Sequence, residues 1–187
     1  MTRATTASAD IERTTVATGL TYADLVRAFE GELQRLDTAV GKTLVERQAP
    51  WSEVEREIDP VGGPHGLMIL AQAEQGPLVS LSGRMIRCTL YLVGNPLIAA
   101  QILAVDVRAS LYVPFRVTLY DGGGPDGASI SFDRPSSFLA TLERPELAAF
   151  GILLDQKIDA IVAAVSEENI TSHSRSIMID ARSANHD

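Results

Sequence analysis

Three consecutive runs decide the fold: YLVGNPLIAAQIL at 91–103, VDVRASLYVPFRVTLYDGGGPDG at 105–127, and SISFDRPSS at 129–137. Gly94-Asn95-Pro96 ends a strand and starts a helix. Asn is a favoured N-cap, and Pro at the first helical position has its φ preset and no amide left unbonded. Leu97, Ile98, Gln101, Ile102 and Ala104 then carry the helix for about two turns. From Phe115 to Tyr120 the chain alternates, with Phe115, Val117 and Leu119 on one side and Arg116, Thr118 and Tyr120 on the other. The glycine-rich turn at 121–127 returns it through a second strand, Ser129–Phe132, so the pair reads as a hairpin.

Outward from this block, Pro135 opens a short helix and Pro145 a long one. In the long one Leu147, Phe150, Leu154, Ile158, Ile161 and Val165 recur every three or four residues, as on a helix laid against a sheet. Upstream, Ile11–Ala17 reads as a first strand. Thr21 with Asp24 forms a capping box, and Leu25, Val26, Phe29, Leu33 and Leu36 give one helical apolar face ending at Gly41. Ser52 is expected to cap a short helix through Ile58, with Trp51 folded back onto the core and a Pro/Gly loop after it. Leu67–Gln72 and Arg84–Val93 read as strands. In the second, Met85, Cys88, Leu90 and Leu92 do not all fit one face, which points to burial on both sides.

Composition bounds the rest. At 187 residues and 45% hydrophobic content, one domain with a real core is expected. We place it at 11–166, with a disordered N-terminus over 1–10 and a poorly ordered tail over 167–187, both too polar to offset the entropy of ordering. A net charge of −8 repels phosphate backbones, which argues against nucleic acid as a partner. No apolar run is long enough for a membrane span, and the N-terminus lacks a signal-peptide pattern, so the cytoplasm is the expected location. Cys88 is the single cysteine, which rules out an intrachain disulfide. With so few histidines and no calcium-loop spacing, no metal is expected.

The element order is strand, helix, four strands with a short Asn-Pro-capped helix inserted, then a helix. It predicts an α+β two-layer sandwich: strand–helix–four-strand–helix, with helices on one face of a mainly antiparallel sheet. GNPLIAAQIL followed by RASLYVPFRVTLYD and SFDRPSS resembles the domain-of-unknown-function 302 family, in a longer form with an insertion, residues 42–63, before the second strand. The similarity covers most of 11–165 and is strongest over 94–137. The resemblance implies this sandwich, often dimeric, and no particular reaction.

Several motif-like stretches dissolve on inspection. Gly41-Lys42-Thr43 would end a phosphate-binding loop only with glycine at position 36, which is Leu36. The glycines of 121–127 join two strands and open no helix, so no nucleotide cofactor is indicated. His65, between Pro64 and Gly66, reads as loop structure, since nothing in the sequence sets a carboxylate beside it. Cys88 reads as a buried small hydrophobe rather than a reactive thiol.

The remaining polar set is Asn95, Asp106, Arg108, Arg116 and Asp133. In one reading these residues form an ion-pair network that ties the hairpin to the crossover after the Asn-Pro helix. In the other, Asn95, Arg108 and Arg116 rim a pocket lined by Met68, Leu90, Tyr112 and Phe115. A guanidinium there would hold a carboxylate or enolate oxygen, with Asp106 or Asp133 as base if burial raised its pKa. The first reading leaves these residues structural; the expectation for the chain as a whole is a protein that binds a small ligand, self-associates as a homodimer, or both, without metal or nucleotide. The second leads to a cofactor-independent lyase, isomerase or cyclase acting on a small, partly apolar carbonyl or carboxylate compound.

Overall fold

The structure, a computed structural model, describes the backbone at residues 4, 6 and 8–183, and side chains as far as residue 166. Six strands form one sheet in the order β1-β6-β5-β4-β3-β2. They are β1 (Arg13–Ala17), β2 (Gln34–Arg35), β3 (Met68–Glu74), β4 (Cys88–Gly94), β5 (Phe115–Asp121) and β6 (Ala128–Asp133). All neighbours are antiparallel except β2 and β3. The expected hairpin is β5–β6, with Val117 opposite Phe132 and Leu119 opposite Ile130.

Helices α1 (Tyr22–Glu32) and α7 (Ala148–Ser183) pack together over the sheet. Alternation turns Phe115, Val117, Leu119, Ile130 and Phe132 toward them, and these join Leu25, Phe29, Leu154, Ile158 and Ile161 in the main core. The fold is therefore the α+β arrangement that the sequence pattern predicts. Thr21 and Asp24 make the capping box: the Thr21 hydroxyl accepts from the Asp24 amide at 3.2 Å and donates to its carboxylate at 2.7 Å. Asn95 caps α5 (Pro96–Val105), accepting from Leu97 N at 2.8 Å.

Three local expectations are corrected. The first helix does not continue to Gly41. Leu33 takes extended dihedrals, β2 pairs alongside β3, and Leu36 N donates to Ile69 O at 3.0 Å. Asp37 then caps a separate helix, α2 (Thr38–Glu46). Next, α3 (Trp51–Ile58) is capped at Pro50 without a side-chain bond, so Ser52 is not its cap. Trp51 is 50% exposed and donates to Glu55 instead of packing on the core. Finally, the strand expected from Arg84 begins only at Cys88, because α4 (Gly76–Ser80) and the chain after it occupy the connection. The Ser80 hydroxyl closes that connection, accepting from Ile86 N at 2.8 Å and donating to Gly76 O at 2.8 Å.

The 42–63 insertion has a structural use. Met68 points away from Ile69 by strand alternation and packs with Leu44 and Ile58, so α2 and α3 make a small second core. Helix α6 (Pro135–Ala140) is pinned to α7: Asp155 accepts from Ser136 N at 3.1 Å and Ser136 Oγ at 2.6 Å, and pairs with Arg134 at 3.2 Å. The backbone of α7 runs past residue 166. The terminal expectations otherwise fall largely outside the described residues.

Candidate functional site

The polar set singled out from the sequence is dispersed by the fold. Asp106 caps the 3-10 turn Val107–Leu111 and takes a 2.6 Å ion pair from Arg108. That hydrogen-bonded guanidinium holds the Asp106 carboxyl down to about 2, against a base role. Asp133 pairs at 2.7 Å with Arg13 of the neighbouring strand. Arg116 is exposed and has no ion-pair partner among the described residues. The single network expected around it is therefore two separate local pairs, each closed by a cation other than Arg116.

Asn95 is 8% exposed and spent on structure: its Oδ1 caps α5, and its Nδ2 donates to Gly66 O at 3.0 Å. Of the expected lining, Met68 lies in the second core and Phe115 in the main one, while Leu90 faces the other side of the sheet, opposite Thr118. Tyr112 stacks on Phe138 with ring centroids 5.2 Å apart. Tyr112, Phe115, Arg116 and Asp133 do meet at one depression, but its volume of about 30 Å³ is that of a single water. His65 has the carboxylate partner that its local sequence does not reveal: Glu32, 33 positions earlier, lies 2.7 Å from Nε2.

A larger concavity opens elsewhere. Between α1, the helix-facing side of β3 and β4, and the base of the 76–87 connection lies a cleft of about 370 Å³. Helix α1 contributes Tyr22, Val26 and Glu30 at four-residue spacing, so they share one stripe. Thr89 and Tyr91 lie two apart on β4 and share its helix-facing side. Ala23 of α1, Gln72 and Glu74 of β3, and Pro77, Ile86 and Arg87 of the connection, with Cys88 at the start of β4, complete the rim.

Thr89, 3% exposed, and Tyr91, fully buried, make a polar floor beneath apolar walls. The Tyr91 hydroxyl donates to Glu30 Oε1 at 2.8 Å, and Arg35 reaches the same oxygen at 2.6 Å. Arg35 also donates to Gln72. The Tyr22 and Thr89 hydroxyls share a bond of 2.7 Å. Burial, reinforced by the Glu30 carboxylate, pushes Tyr91 strongly up from its ordinary value, so its proton stays in place as a donor.

This cleft escaped sequence reading because its parts look structural one at a time. Tyr22, Val26 and Glu30 form a second stripe beside the core face of α1. On β4 the more apolar set in the sequence is Cys88, Leu90 and Leu92, whereas the set that faces the helices is Thr89, Tyr91 and Val93. A second depression, about 320 Å³, lies over α2 between Asp37, Thr43, Arg47 and Glu57 and has no comparable buried polar floor. Among the described residues, no cluster of three His, Cys, Asp or Glu side chains could hold a metal, and no helix is long and apolar enough to cross a membrane.

The family model for "Domain of unknown function DUF302" matches residues 44–165, and the chain belongs to that family. Among solved structures it is similar to the crystal structure of an uncharacterized conserved DUF302 protein from Bacillus stearothermophilus. The two are 13% identical, the match covers 82% of this chain and 97% of the other, and the TM-score is 0.57. This likeness speaks to the fold alone. No curated protein matches the chain.

Proposed function

We propose that this protein binds a small molecule, and that the site is the cleft over Thr89 and Tyr91 rather than the surface around Arg116. The supporting observation is a concavity of about 370 Å³ with apolar walls and a buried polar floor. Ligand sites typically occupy roughly 300–1,000 Å³ with few, convergent polar groups. Binding fits better than turnover here. Tyr91 is shifted away from neutral pH, the opposite of what an acid–base catalyst needs. The lone thiol of Cys88 suits the reducing cytoplasm as the place of action.

The test is a thermal-shift panel of small alcohols, amines and acids on the wild-type chain and on Val26→Trp, which fills the cleft from α1. At least one compound should raise the wild-type melting temperature and leave the variant's unchanged. Equal shifts in both proteins would contradict the site.

A homodimer is the second reading, favoured by the part of the sheet's other face that α2 and α3 leave open. There Cys88, Leu90, Leu92 and Tyr120 are half-buried and Ala71 and Ala73 exposed, an apolar strip on the side away from α1 and α7. Light scattering at micromolar concentration should give twice the chain mass, and Leu92→Glu should give the monomer. A wild-type monomer under those conditions would rule the dimer out.

A further inference from the structure

We propose that the occupant of the Tyr91 cleft is an organic ammonium ion carrying a short apolar body. This rests on the binding reading above and adds the chemical class. Two carboxylates, Glu30 and Glu74, border the cleft with one lining cation, Arg87, and a second cation, Arg35, pairs with Glu30 from outside the lining, so the unpaired acidic capacity is Glu74 and the second oxygen of Glu30. Arg87 is already committed, reaching Asp121 at 3.3 Å. Glu30 receives both Tyr91 and Arg35 on Oε1, while Oε2 meets no protein donor among the described residues.

On the open surface two carboxylates would be a hydrated pair without selectivity. Here they stand at the mouth of a concavity whose walls, Val26, Pro77 and Ile86, exclude water from one side of any occupant. A charge in such a setting is screened less than in bulk solvent. Tyr22 adds an aromatic ring, and rings attract cations. The Tyr22 and Thr89 hydroxyls spend one proton on each other and keep lone pairs that suit an N–H donor. An anion would find one remaining hydroxyl proton and an Arg87 already paired with Asp121, against two carboxylates and a chain of net charge −8.

Three probes of similar size and different charge decide it: 2-phenylethylammonium, 2-phenylethanol and 3-phenylpropionate, titrated calorimetrically into the full chain at neutral pH. The ammonium should bind about tenfold more tightly than the alcohol, the increment of one charge-assisted hydrogen bond, and the carboxylate most weakly. Glu30→Gln should narrow the gap between ammonium and alcohol to about twofold, because both probes then donate to a neutral amide oxygen and most of the charge-assisted increment is gone. Glu74→Gln, an exposed position that leaves the Arg35 pair intact, should narrow it part-way. If the alcohol or carboxylate binds as well as the ammonium, and Val26→Trp abolishes that binding, the cleft stands and the ammonium assignment falls. An ammonium preference unchanged in both Gln variants also overturns the assignment. No binding by any of the three defeats the assignment and the binding reading together.

Discussion

The Tyr91 hydroxyl donates to Glu30 Oε1 at 2.8 Å, joining the centre of β4 to the last turn of α1. Tyr91 is fully buried, and its ring lies 5.1 Å from that of Phe29. One residue thus packs in the core and closes the floor of the cleft. Tyr91→Phe keeps the ring packing and removes the bond, while Glu30 retains Arg35 and some solvent. The variant should lose about 1.5–3 kcal/mol in denaturant unfolding, the net worth of one hydrogen bond to a charged group. An unchanged midpoint would mean that the bond contributes nothing.

Gly151 of α7 lies directly against Ser136 of α6. A Cβ there would stand 2.7 Å from Ser136 Cα, a contact only backbone movement relieves. Gly151→Ala should therefore cost about 1–3 kcal/mol as overpacking, despite alanine's better helix propensity. Gly31 on α1 has open space around it, and Gly31→Ala should stabilise by up to about 1 kcal/mol. The opposite order of melting temperatures would contradict the α6–α7 packing.

Arg116→Met should leave stability within about 0.5 kcal/mol, because the side chain is exposed and no ion pair is lost. The network expected from the sequence would instead require a clear loss. Chemical denaturation of the variant separates these.

Asp106 titrates about 2 in the folded chain against an ordinary 3.8, held down by Arg108. A depressed folded-state value adds stability that is complete above the unfolded value and disappears as pH falls through the folded one. Asp106→Asn should therefore melt below wild type at pH 6, and the gap should shrink between about pH 4 and pH 2. A gap independent of pH would assign the effect to the cap at Arg108 N rather than to charge.

The parts of the fold that the sequence makes legible are those whose signals are local. Asn95-Pro96 fixes a helix start within three residues, and the alternation of Phe115–Tyr120 fixes a strand and its buried face. Leu33 and Leu36 continue the spacing of α1, yet the chain leaves the helix because β3 offers Ile69 O to Leu36 N, a partner no local window contains. The site is harder to read for the same reason. Asp133 finds Arg13 across 120 positions and Tyr91 finds Glu30 across 61, while the nearby Arg116, which looked like the natural partner, faces solvent. The buried face is legible on β5, where alternation is clean, but not on β4, where the more apolar set faces away from the helices; pairings that depend on which strands become neighbours are legible on neither.

The central claim, that ligand binds over Thr89 and Tyr91, is tested most directly by amide chemical-shift mapping. The uniformly 15N-labelled chain is titrated with 2-phenylethylammonium. Saturable shifts should concentrate at Tyr22, Val26, Glu30, Thr89 and Tyr91, with Tyr112, Arg116 and Asp133 unmoved. Shifts centred on Tyr112, Arg116 and Asp133 instead would contradict the account and return the site to the arginine strand.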